Sequence, residues 1–263
     1  MNDLLDRVRQ SRVFDLAQPY FVGMPHHPSH PPFLFSLSKK HGDFVAPGGA
    51  SSCAETITLG GHVGTHIDAL CHFSHCGKLH QGGEAADLQS YGAGLQRFSV
   101  DTVAPILRRG VLLDIAGLAG KEILPADFVI TQEHLESATA LQKVEIGAGD
   151  VVLLRTGWAQ YWRDCRKFIS EVRGPGPRLE AAQWLSARKI FAAGSDTVAF
   201  EFVPDPAMPV HVHLLVESGI HIIECLNMEE LAAERGYEFL FIATPLKIEG
   251  GTGSPIRPLA LIA

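Results

Sequence analysis

The segment from Gly60 to Phe73, GGHVGTHIDALCHF, places three histidines and an aspartate within eleven positions, from His62 to His72. Any fold that accepts this chain must bring these polar groups together, because neutral imidazoles and a carboxylate are what a divalent first-row metal takes from protein. One histidine on an apolar surface is ordinarily a satisfied hydrogen-bonding group. It is the clustering that points to an ion held by His62, His66 and Asp68. Gly64 and Thr65 supply a tight turn that lets His62 and His66 converge. Two local conformations then suit the rest of the segment. On a helix opened and capped by Asp68, residues four apart share a face, so Asp68 and His72 point the same way. In an extended segment, the even spacing of 62, 66, 68 and 72 puts all four on one side.

Composition bounds the frame around this cluster. A chain of 263 residues with 46% hydrophobic and 19% charged content can bury a sizeable interior, and one domain over residues 1–263 is the simplest reading. A net charge of −7 with no dense Lys/Arg stripe excludes a phosphate-binding surface, and with it DNA and RNA as partners. The stretch from Met1 to Arg12 lacks the apolar core of a signal peptide, and no segment reads as a membrane span. Cys53, Cys71, Cys76, Cys165 and Cys225 are odd in number and irregularly spaced, which fits reduced thiols in the cytoplasm. Cys71 and Cys76, with His72, His75 and His80, lack the short-spaced thiol pair that a structural zinc site uses.

Apolar runs bounded by Gly, Asp or Pro predict strands over Gly110–Ile115, Val151–Thr156, Ile190–Ala193, Ile220–Ile223 and Phe239–Ala243, buried on both faces. Helical signals fall between them, at Gln132–Gln142, Leu179–Lys189, Val210–Ser218 and Met228–Arg235. Asn227 caps the last, with Glu230 three residues on and Gly236 just past its end. This alternation predicts an α/β arrangement, with a more irregular, sheet-like N-terminal half. Proline density in GMPHHPSHPPF, from Gly23 to Phe33, predicts an extended loop of the kind that covers sites.

The cluster resembles the HxGTHxDxPxH motif of the cyclase-like metal-dependent hydrolases, which include bacterial kynurenine formamidases and isatin hydrolases. Leu70 stands where that family usually has proline. The resemblance extends to Leu154–Trp158, Gly194–Thr197, Gly219–Leu226 and Pro245–Pro258, and so covers most of the chain. It implies a single domain of the swivelling β/β/α type, a mixed sheet or barrel-like core flanked by helices, and a homodimer or higher homo-oligomer. It makes His62, His66 and Asp68 metal ligands and His72 the catalytic residue. Family formamidases add a second ion through a histidine and a glutamate. Glu224 matches the glutamate, whereas His211 and His213 both lie near the expected histidine and neither spacing agrees cleanly. One ion is therefore preferred over two, leaving His211, His213 and Glu224 as a second-metal or proton-relay set. The MPHHPSHPPF stretch and the longer N-terminal region resemble the isatin hydrolase branch, which implies opening of the cyclic amide of isatin to isatinate.

An oxygen- and nitrogen-rich ligand set suits Mn²⁺, with Zn²⁺ as the alternative. Such an ion activates water and polarises the attacked carbonyl, and His72 would carry the proton. Phe21, Phe33, Phe35 and Trp158 are candidate flat walls for a planar amide, though any one of them taken singly more often belongs to the core. An arylformamidase acting on open-chain N-formylkynurenine is the alternative activity and needs a longer pocket. A non-catalytic metal-binding protein would have no use for His72. A Cys71 nucleophile is disfavoured because adjacent residues on a helix point apart.

Overall fold

The computed structural model describes residues 2–262, with side chains from residue 5 onward. Four strands form its parallel centre: Ile106–Asp114, Val151–Arg155, Ala192–Ser195 and His221–Glu224, hydrogen-bonded in that order. Beyond the first lie Glu238–Ala243, Leu259–Ile262 and Arg12–Asp15, all antiparallel. Beyond the last lie His66–Asp68 and Gly253–Pro255, also antiparallel. These nine strands make one curled mixed sheet, as the α/β reading expects.

Alternation along the central strands sorts the core into two layers. Val152 and Leu154 face the helices Gln132–Gln142 and Leu179–Ala187 and the helical segment 209–218, where Leu135, Ala138, Ala181, Leu185, Val210 and Leu214 cover them. Val151 and Leu153 face the other way and pack with Phe14, Ile67, Leu231, Phe239 and Phe241. Continuous apolar runs arise because both faces are covered, as for any parallel sheet under crossover helices. The strand Glu238–Ala243 differs from the doubly buried expectation. Its burial alternates because Glu238 and Leu240 look to solvent from the antiparallel part of the sheet.

Helix Gln132–Gln142 has the predicted bounds, with Thr131 and His134 forming a reciprocal capping box. The last predicted helix shortens to Glu229–Ala233, and Asn227 Oδ1 accepts from the backbone N–H of Glu229 at 3.4 Å. The segment Val212–Ser218 is π-helical, where the sequence predicts an α-helix. In the N-terminal half the strands Leu34–Lys39 and Ala54–Thr58 form a two-stranded ribbon apart from the main sheet. Residues 23–33 form an irregular loop, as their proline content predicts. No helix among the described residues is long and apolar enough to cross a membrane.

Candidate metal centre

Strand pairing assembles the centre. His66 lies opposite Glu224 and Asp68 opposite Ile222, while Ile67 points into the apolar layer on the other side. Parity therefore turns His66, Asp68 and Glu224 to one face. His66 Nε2 lies 3.5 Å from Asp68 Oδ1 and 3.4 Å from Glu224 Oε2. His66 Nδ1–H donates to the carbonyl of Gly64 at 2.8 Å, which aims Nε2 at the two carboxylates.

His62 reaches the same place through the turn at Gly64, whose φ is +72°. A Cβ there would lie 1.7 Å from the Tyr20 ring, so the turn excludes any side chain on two grounds. His62 Nδ1 sits 2.7 Å from Asp68 Oδ1 and Nε2 sits 2.9 Å from Thr252 Oγ1. The helical alternative for Asp68 does not occur, because its strand is paired on both sides, to Ile222 and to Gly253. Asp68 thus caps nothing, and His72 does not follow it by a helical turn. After the strand the chain turns, with the His72 N–H donating to Ala69 O at 2.9 Å, and the His72 ring stacks on His62 at 3.8 Å.

His211 joins the cluster and His213 does not. His211 Nε2 lies 3.3 Å from Glu224 Oε1 and 4.0 Å from Asp68 Oδ2. His213 turns away, to Ser186 Oγ and Glu217 Oε2, each at 2.8 Å. A π-helix holds more residues per turn than an α-helix, and the one over Val212–Ser218 lies between His211 and Glu224. Glu201, buried and unmarked in the sequence, accepts from His211 Nδ1 at 2.6 Å and from its backbone N–H at 2.9 Å.

The residues present fit a cation. Asp68 Oδ2 is buried without a hydrogen-bond partner, a costly arrangement for a carboxylate unless a positive group faces it. Two overlapping sets, His62–Asp68–His72 and His66–Asp68–Glu224, each place their ligand atoms within 4.8 Å of one another. Burial alone would lower the pKa of His66 and His211, but hydrogen bonds to Asp68, Glu224 and Glu201 raise both to about 10. Burial alone would raise Asp68 and Glu224. The neighbouring imidazoles instead pull Asp68 well below its ordinary value and Glu224 to about 2. Without an ion, protons on His66 and His211 supply the positive charge that the carboxylates require. His72 behaves differently, because burial pushes it down to about 3 and leaves a neutral imidazole. Cys71 is buried and its thiol pushed up to about 12, which removes it as a nucleophile, and no cysteine belongs to either ligand set among the described residues.

The cluster opens into a cavity of about 480 Å³. His72, His211 and Glu224 line it with His27, Ser29 and His30 from the proline-rich loop and the apolar Val198, Val203 and Met208, while the Phe73 ring packs 4.8 Å from that of His211. His30 reaches in far enough for its ring to lie 5.1 Å from that of His62. Glu171 and Asp205 are the other acidic members of the lining, and it contains no Lys or Arg. None of the four aromatic residues singled out from the sequence lines this cavity. Phe33 and Trp158 pack in a separate apolar cluster, with Phe21 against it, and the Trp158 indole N–H is spent on Phe168 O. Phe35 lies on the exposed ribbon, and with Phe21 and Phe33 it borders a different surface groove.

The sequence profile of the Cyclase family matches residues 14–202. The chain belongs to this family. It is 30% identical to the isatin hydrolase of Roseibium aggregatum over 214 residues, covering 78% of this chain and 73% of that one. It is 27% identical to a kynurenine formamidase of Bacillus thuringiensis, covering 95% and 97%. A crystal structure described as a novel cyclase superposes with a TM-score of 0.89 at 28% identity, covering 99% of this chain and 90% of the other. Isatin hydrolase A from Ralstonia solanacearum gives a TM-score of 0.76 at 26% identity, covering 100% and 97%.

Proposed function

We propose that this cyclase-family hydrolase opens a small, neutral cyclic amide of the isatin type, with one divalent ion, Mn²⁺ before Zn²⁺, held by His62, His66 and Asp68. The observation that carries the reading is a metal-ligand cluster bordering a cavity that has a largely apolar lining and no Lys or Arg. Isatin is flat and uncharged, whereas N-formylkynurenine is a longer zwitterion whose amino-acid carboxylate would find no Lys or Arg in the lining to pair with. When bound, the ion lowers the pKa of water and polarises the carbonyl.

The chain's own groups supply the rest. His66 and His211 present Nε2 to the cluster because Gly64 O and Glu201 hold their Nδ1–H groups. His72, stacked on His62 beside the ligands, would accept a proton from water at one ring nitrogen and return it to the leaving amide nitrogen. Glu224 and His211 lie beside the three ligands and would complete the ion's surroundings as well as fix the position of water or substrate there. The apolar part of the lining, Phe73, Val198, Val203 and Met208, would keep bulk water from the reacting bond.

The test is kcat/KM for isatin against N-formylkynurenine with the Mn²⁺-loaded protein. A preference for isatin of at least roughly 10-fold is expected, and a preference for N-formylkynurenine would assign the formamidase activity instead. Self-association belongs to the same proposal. A two-stranded ribbon is marginal by itself, and here Leu34, Phe35, Leu37 and Ile57 stand exposed on it. Sedimentation should show a dimer or larger, and Phe35→Asp should shift it towards monomer. The five free cysteines support placement in the cytoplasm.

A further inference from the structure

A second cavity, of about 250 Å³, lies behind the metal cluster. His221 borders it, and because His221 and Glu224 differ in parity on their strand, this cavity and the metal centre belong to opposite faces. Leu70, the residue standing where the family usually has proline, also lines this second cavity and not the first. So does Phe98, whose φ of +58° places a bulky residue in the left-handed region, a conformation retained only when the surroundings over-determine it.

The polar groups are few and directed. His221 is buried, and its Nδ1–H donates to the backbone carbonyl of Asp68 at 2.9 Å. That bond fixes the tautomer and leaves Nε2 as an acceptor. The Arg108 guanidinium lies 4.0 Å from the centre of the Phe191 ring and gives one N–H to Gly149 O at 3.3 Å, which leaves further donors of its planar fork. Phe98 and Phe191 supply flat apolar walls, and the volume suits a single ring.

We propose that this cavity binds a small planar aromatic carboxylate carrying an amino or hydroxyl group on its ring. The ring lies between Phe98 and Phe191, the carboxylate pairs with Arg108, and the ring substituent donates to His221 Nε2. The proposal does not rest on the hydrolase reading, and its test involves no turnover. Calorimetric titration of the metal-loaded protein with 4-aminobenzoate, benzoate and aniline should give affinities falling in that order. Arg108→Gln should weaken 4-aminobenzoate by roughly 10- to 100-fold, the worth of a charge-assisted hydrogen bond. Ala104→Trp, at an exposed position on the rim, should block it independently. Met208→Trp, in the metal cavity, should leave it unchanged, which separates this site from binding at the ion. Absence of binding by the wild type, binding that survives both Arg108→Gln and Ala104→Trp, or loss on Met208→Trp alone would overturn the proposal.

Discussion

Glu201 grips His211 at both its ring and its backbone, which makes it the residue that orients Nε2 towards Glu224 without itself reaching the cavity. Partners of this kind are typically worth about 10- to 100-fold in metal affinity. Glu201→Gln should weaken metal binding within that range in chelator competition, and Glu201→Asp should recover part of it. Unchanged affinity in Glu201→Gln would remove His211 from the centre. His211→Ala should lower metal affinity and His213→Ala should not, because His213 is occupied by Ser186 and Glu217. Replacing His72 separates ligation from proton transfer. His72→Ala should keep its metal and lose turnover by about 10²–10⁴-fold, the contribution of a positioned general base. Metal lost in that variant, measured by elemental analysis, would make His72 a ligand.

At the scale of elements, strand pairing sets His66, Asp68 and Glu224, and the turn at Gly64 brings His62 to them. Gly64→Ala would put a Cβ into the Tyr20 ring and an L side chain at φ +72°. Strain and overpacking together should cost roughly 2 kcal/mol or more. A lower melting temperature and reduced metal content are expected, and a variant with wild-type values for both would show that the turn does not set the ligands. The central strands were legible because Val151–Arg155 and its neighbours form short apolar runs between turn residues, as strands covered on both faces must. The cluster from His62 to His72 was legible because all its chemistry lies within one short segment. The π-helix over Val212–Ser218 was not, since its apolar positions also satisfy an α-helix, and spacing to Glu224 alone could not choose between His211 and His213. Glu201 left no local signal, because its value comes entirely from a contact made in the fold. Phe21, Phe33, Phe35 and Trp158 misled because aromatics look alike in sequence whether they line a cavity, fill a core or cover a surface.

For the whole molecule, protons and the ion compete for the same charge deficit. In the metal-free protein His66 and His211 titrate near 10, above the ordinary 6.5, so their contribution to stability is complete below about 6.5 and is lost as pH rises towards 10. Asp68 and Glu224 are depressed, so their contribution is present above the ordinary carboxylate range and lost as pH falls towards 2. An ion needs the imidazoles neutral, so loading must release protons and grow tighter as pH rises. The difference in melting temperature between loaded and stripped protein should therefore increase from pH 6 to pH 9, roughly spanning this window. A difference that is flat or shrinks over that range would mean that the histidines do not hold the ion.

That the ion and His72 act together on an amide is tested most directly by steady-state isatin hydrolysis, followed in the ultraviolet, with protein stripped of metal, reloaded with Mn²⁺, and reloaded as His72→Ala. Stripped protein should be inactive, Mn²⁺ should restore turnover in parallel with measured occupancy, and the fully loaded His72→Ala protein should stay about 10²–10⁴-fold slower. Turnover that survives complete stripping, or a loaded His72→Ala protein as fast as the wild type, would contradict the account.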